Sequence, residues 1–335
     1  MLCCAVILIS ASPPALRAAS PNQQSKQPAV QRSSPIFIFY DDEFWLNLHH
    51  FLYVLGRAEN KTRDSGRAAV SGAPADQQQG LTRLTAKEQA LWREAVSEYA
   101  AGLSKKDVVF DDPLPAITIG LARARAAKSL SGAGIDPAIV TVLAKAAPIY
   151  RKAWWPNHRA ANKAWRKEIE TLLKRYGTTV LSFITKAYRL EWAAAGYGVH
   201  LSAYANWAGA YSTTGNLLVV ASLNKETKGL NGLETVFHEG MHQWDDLVAT
   251  DLQEQARRTN KTVPNSLSHG LIFFTAGEAV RRVVPEHVPY ADKFGVWQRR
   301  PAGERDALVE IWQPYLDGQG TRDEAFAALI KRLSR

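Results

Sequence analysis

From Phe44 onward, apolar side chains recur at three- and four-residue intervals (Phe44, Leu48, Phe51, Val54, Leu55), the repeat of a helix with one buried face. Gly56 marks a stop, and His49 and His50 fall near the middle of this predicted amphipathic helix. Order is expected to begin just ahead of it, at Ile36. Residues 62–82, rich in Gly, Ser, Ala and Gln, read as an exposed loop. Thr85 and Glu88 have the spacing of a capping box, in which hydroxyl and carboxylate each satisfy a free N–H at a helix start. Further helices are predicted over 136–154, interrupted by Pro156, and over 157–176, closed by Gly177. Trp154, Trp155, Trp165 and Trp192 read as packing residues rather than ligand platforms.

The texture changes after Gly196. "YGVHLSAYANW" and "GNLLVVASL" are short, rich in Val, Leu and Tyr, and bracketed by turn residues, which predicts two strands of a small sheet. Asn231 and Glu234 form a second capping box, opening a long helix, and Thr321 with Glu324 a third, opening the last one. The fold class expected is α+β: mainly helical, with a small sheet placed just before the long helix. The segments that follow are a helical N-terminal region over 35–195 and a second region over 196–335.

Composition changes this picture at the N-terminus. The 335 residues are 46% hydrophobic and 22% charged, which suits a packed core. The formal charge of +9 is spread without any long block of like sign. It reads first as a solvated basic surface, with attraction to an anionic envelope surface or an acidic substrate as the alternative. No zinc-finger, RNA-binding-sheet or basic-zipper pattern accompanies it, so no nucleic-acid partner is expected. Residues 1–19 join an apolar run, Leu2 to Ile9, to small residues ending at Ala18 and Ala19, which reads as a secretory signal peptide. Polar residues 20–34 read as a flexible linker, and no stretch has the length and apolarity of a transmembrane helix. The expected location is secreted or periplasmic. Both cysteines, Cys3 and Cys4, lie inside the leader, which leaves no thiolate ligand after cleavage.

The chemistry concentrates in "TVFHEGMHQWDD", residues 235–246. Residues four apart lie one helical turn above each other, so His238 and His242 share a face and can grip one ion. At about 100° per residue, Leu233, Val236, Phe237, Gly240, Met241, Trp244, Leu247 and Val248 fill one broad apolar arc. The histidines fall beside that arc and Glu239 beyond them. Such a helix buries its back while offering two imidazoles and a carboxylate to a cleft.

"HEGMH" resembles the H-E-x-x-H signature of the zincin metallopeptidases. The resemblance implies zinc held by His238 and His242, Glu239 as general base for a zinc-activated water, and a peptide or protein substrate. It also implies an edge strand ahead of the helix for the substrate backbone, a place that "AYSTTGNLLVVASL" occupies. The resemblance covers 197–283 and makes 196–335 the zincin-like catalytic region, its active-site helix behind a short sheet.

A third ligand is required. The branch continuing H-E-x-x-H-x-x-G-x-x-H is excluded, because "QWDDLVATD" after His242 lacks that glycine and histidine. The gluzincin branch takes a glutamate from a later helix, and "NSLSHGLIFFTAGEAVRRVVP" offers Glu278, on one face with Leu267, Leu271 and Phe274. His269 competes. On a straight helix His269 and Glu278 point in nearly opposite directions, so one ion takes only one of them. The resemblance favours Glu278, leaving His269 as a substrate or oxyanion donor. Where thermolysin-like enzymes often carry an aspartate beyond the ligand glutamate, Arg282 stands here, and Asp245 or Asp246 is the remaining support for an imidazole.

For oxyanion stabilisation, Tyr211 comes first and Tyr204 second, both from the strand region; Asn47, His49 and His50 would join if the first helix walls the cleft. The function expected is a secreted or periplasmic zinc peptidase. Its rivals are a non-catalytic zincin-like envelope binder and a zinc amidase cutting a cell-wall bond.

Overall fold

Four short stretches of β-branched, aromatic and leucine side chains pair into one sheet in the computed structural model, which describes residues 35–60, 74, 76–206, 208–213 and 217–334. They are β1 (Phe37–Tyr40), β2 (Tyr197–Ser202), β3 (Ala210–Thr213) and β4 (Leu217–Ala221). Their spatial order is β1-β2-β4-β3, with β1, β2 and β4 parallel and β3 antiparallel at the edge. The sheet is mixed, and helices cover both its faces. The signal peptide expected over 1–19 and the linker over 20–34 lie outside the described residues.

Between β1 and β2 run α1 (Phe44–Asn60), α2 (Gln77–Leu81), α3 (Ala86–Ala101), α4 (Leu114–Arg123), α5 (Pro137–Ala153), α6 (Trp155–Leu172) and α7 (Thr178–Tyr188). After β4 come α8 (Gly229–Met241), α9 (Asp245–Arg258) and α10 (Leu267–Arg281). The short α11 (Tyr290–Lys293), α12 (Glu304–Ala307) and α13 (Gln313–Leu316) precede the closing α14 (Arg322–Leu333). No described helix is long and apolar enough to cross a membrane.

Strand alternation divides the core in two. Tyr197, Val199, Leu201, Leu218 and Val220 face a layer built from α6 to α10 and the C-terminal helices. Tyr211, Leu217, Val219 and Ala221 face the other layer, built from α1, α3, α4 and α5. The segments 35–195 and 196–335 thus share one sheet, the first giving β1 and the second β2 to β4, and the described residues form one compact unit.

The structure corrects several expectations. β1 has no counterpart among the expected elements; its partner β2 lies far along the chain, so no local pattern announces the pairing. α1 is buried on every side from Phe44 to Arg57 because the sheet and the helices α3 to α5 enclose it. The described end of the expected loop 62–82 contains α2, whose Gly80 lies against Trp154: an added Cβ would come within 2.0 Å of the indole. Gly177 does not close α6. Its φ of −57° is helical, and the chain passes through a π-turn, Leu173–Gly177, straight into α7. The capping boxes at Thr85 and Thr321 form as read. The one at Asn231 does not. α8 starts earlier, at Gly229, and the buried Glu234 carboxylate takes stronger partners, His287 Nε2 at 2.6 Å and the Tyr290 backbone N–H. The long helix also breaks, through a 3-10 turn at His242–Trp244, before resuming as α9. Trp244 and Val248 stay in the core as the apolar arc requires, but Leu247 turns outward, 52% exposed.

Asn47 ties the two halves together. Its amide donates to Leu201 O at 2.9 Å, and its oxygen accepts from Ala203 N at 2.8 Å and from Asn162 Nδ2 at 3.2 Å. Substitution Asn47→Ala orphans these buried groups and is expected to lower stability by about 3 kcal/mol, read from urea unfolding midpoints.

Candidate metal centre

α8 is fixed before its histidines are considered. Leu233, Val236, Phe237 and Met241 sink into the core beneath the sheet, and Gly240 lets Trp192 close against the helix, where an added Cβ would lie 2.4 Å from the indole. His238 and His242 therefore emerge on the side that meets α10. The first turn of α10 brings His269 to the same point. The three ring centroids are 5.1 to 5.3 Å apart, and one nitrogen from each ring lies within 4.8 Å of the other two. His238 Nε2 and His269 Nε2 are 3.2 Å apart.

Tetrahedral zinc with Zn–N bonds of about 2.05 Å spaces its nitrogen ligands by roughly 3.3 Å, so this pair already has the separation that one ion demands. The side chains around the cluster support the same use. His242 Nδ1 donates to Asp245 Oδ2 at 2.8 Å, which leaves Nε2 with a lone pair for a ligand. The helix break places Asp245 there, at the first position of α9. Phe273, one turn beyond His269, packs in tilted contact against His238, with ring centroids 4.1 Å apart, and against His269 at 4.6 Å.

The electrostatics favour unprotonated rings at two positions. Burial, then the neighbouring His269, His242 and Arg300, drives His238 well below the usual histidine value. His269 sits at the more exposed end of the cluster, yet desolvation, with His242 and Arg300 nearby, lowers it to about 3. At His242 desolvation also pulls downward, but the hydrogen bond to Asp245 and the Glu239 charge outweigh it and raise the value. His238 Nδ1 is buried with no hydrogen-bond partner among the described residues. The three rings together could hold a metal ion.

Glu239 lies beside His242, buried to 9% exposure. Burial raises its pKa, opposed by the His242 charge and by Ser212, whose hydroxyl donates to Oε2 at 2.8 Å. Ser212 comes from β3, the sheet edge expected ahead of the helix.

The remaining sequence-based candidates lie elsewhere. Glu278 is absent from the cluster: its carboxylate pairs with Arg281 at 2.5 Å and lines a surface cleft with Arg282, Gln313 and Asp317. The opposed directions of His269 and Glu278 on α10 hold, and the helix turns His269 inward. Tyr211 is on the wrong face of β3. Its hydroxyl meets His50 Nε2 at 2.6 Å and Thr118 Oγ1 at 3.2 Å inside the other core layer. Tyr204 donates to Asp76 Oδ1 at 2.6 Å, and His49 pairs with Tyr99, both in that same layer. Asn47 is spent on β2, Arg282 pairs with Asp317, and Asp246 is exposed on α9. Ser212 and Phe273 were missed. Strand alternation was the available signal for Ser212, since it must face opposite to Tyr211.

Substitution His269→Ala is expected to lose stoichiometric zinc, whereas Glu278→Gln keeps it, measured by metal analysis after dialysis. Asp245→Ala is expected to weaken zinc affinity about 10- to 100-fold, read by chelator competition. These side chains are assigned by their geometry, since no family model, no curated protein and no solved structure matches the chain.

Proposed function

We propose that the protein is a zinc-dependent hydrolase acting on peptide bonds. The observation that carries this reading is the convergence of His238, His242 and His269 with the Glu239 carboxylate beside them. His238, His242 and His269 would hold the ion. Zinc bound by three neutral imidazoles supplies Lewis acidity toward a carbonyl and lowers the pKa of a water to about 7.

The chain's own groups account for the rest. Asp245 keeps the His242 ring oriented with its Nε2 lone pair toward the cluster. Phe273 shields His238 and His269 from solvent on one side. Glu239, desolvated and thus a stronger base than a surface carboxylate, takes the proton of the attacking water on Oε1 and returns it to the departing amine. The edge strand β3, beside α8, offers an extended peptide a place to lie antiparallel or parallel to it. Support for peptide substrates comes from this edge and from the resemblance of "HEGMH" to the zincin signature. The apolar run Leu2 to Ile9, followed by Ala18 and Ala19, supports export from the cytoplasm.

Substitution Glu239→Gln is expected to leave zinc bound while lowering turnover by about 10²- to 10⁴-fold, measured on a mixed peptide library by mass spectrometry beside zinc stoichiometry. Wild-type protein should lose cleavage on chelation and regain it with added zinc. Hydrolysis undiminished in the Gln variant would refute the proposal, and stoichiometric zinc without cleavage would favour a binding protein.

A further inference from the structure

The Ser212 hydroxyl sits in a position the peptidase signature does not specify. Its oxygen is 2.8 Å from Glu239 Oε2 and 2.9 Å from the backbone carbonyl oxygen of the same residue. One hydroxyl carries one hydrogen, so these two acceptors share it. The Tyr197 phenol, 1% exposed on β2, lies near Ser212.

The geometry points to Ser212 as the positioning residue for Glu239. A glutamate has three rotatable bonds and sweeps a wide arc from a helix surface. The Ser212 bridge joins Oε2 to the residue's own backbone and so closes that arc. Among the described residues Ser212 is the hydrogen-bond partner of the carboxylate, at Oε2, which leaves Oε1 for the water. The strand itself is held in place: Ser212 pairs in register with Leu218 of β4, and its neighbour Tyr211 is locked in the opposite core layer by His50 and Thr118. Tyr211 and Ser212 are successive residues facing opposite ways, so the buried polar group on one face of β3 anchors the hydroxyl on the other. The role assigned to Ser212 is to keep one carboxylate oxygen occupied and the other aimed.

This inference rests on the hydrolase reading of the same site, and its test separates the two. Zinc-loaded Ser212→Ala, Ser212→Cys and Ser212→Thr are compared with wild type for zinc content, kcat, KM and the Glu239 side-chain position in crystals. Ser212→Ala should keep one zinc and an unchanged KM, lose about tenfold in kcat, and show the carboxylate displaced. Ser212→Thr, which retains the hydroxyl, should restore both. Ser212→Cys, with its weak donor, should resemble the Ala variant and serves in its place if that variant folds poorly. A carboxylate unmoved without the hydroxyl, wild-type kcat in the Ala variant, or a folded, zinc-loaded Thr variant that stays slow overturns the assignment. If wild-type protein cleaves no peptide, the hydrolase reading fails by itself, and the crystallographic position of Glu239 still decides what Ser212 does.

Discussion

Burial of α8 between the sheet and the C-terminal helices is the constraint from which the site follows. Leu233, Val236 and Phe237 are 0% exposed and Met241 1%, and burying each contributes roughly 1.5–3 kcal/mol. A rotation of α8 large enough to redirect His238 would bring that apolar face out of the core. The direction of both histidines is therefore set by packing, and α10 has only to bring a third donor to a fixed point. It does so at His269, with Leu267, Leu271 and Ile272 buried alongside.

Setting imidazoles this close is unfavourable by itself. Two of the three rings resist protonation because they are desolvated and near other positive groups, Arg300 included, and the third favours it through Asp245 and Glu239. Buried polar groups usually find partners, and His238 Nδ1 has none among the described residues. The nitrogens that meet could hold a metal ion, and Phe273 and Asp245 pack against or hydrogen-bond the rings that would bind it.

Much of the fold was legible because its signals are local. The capping boxes at Thr85 and Thr321 depend on groups within one turn, and both form. The box at Asn231 has the same letters and fails. His287 and the Tyr290 N–H, distant in sequence, compete for Glu234 in a buried setting where a charged hydrogen bond is stronger. β1 was hidden for a related reason: its pairing with β2 joins residues separated by seven helices. The helix break after Met241 follows Gly240, a residue that the packing of Trp192 requires in any case. It arises where Trp244 turns into the core against Tyr188 and Trp192 and donates to Glu191 O.

The sequence by itself determined that His238 and His242 share a helical face with Glu239 to one side of them, because helix geometry fixes relations within one turn. It determined equally that Glu278 and His269 exclude each other as ligands of one ion. Which of the two faces α8 was decided only in the tertiary structure, by how α10 is rolled when its apolar residues are buried. The same holds for β3: alternation dictated that Tyr211 and Ser212 point apart, and the layering of the sheet assigned the serine to Glu239 and the tyrosine to His50. Relations along one element were written in the chain, whereas the choice of face belongs to long-range packing, which no window of neighbouring residues contains.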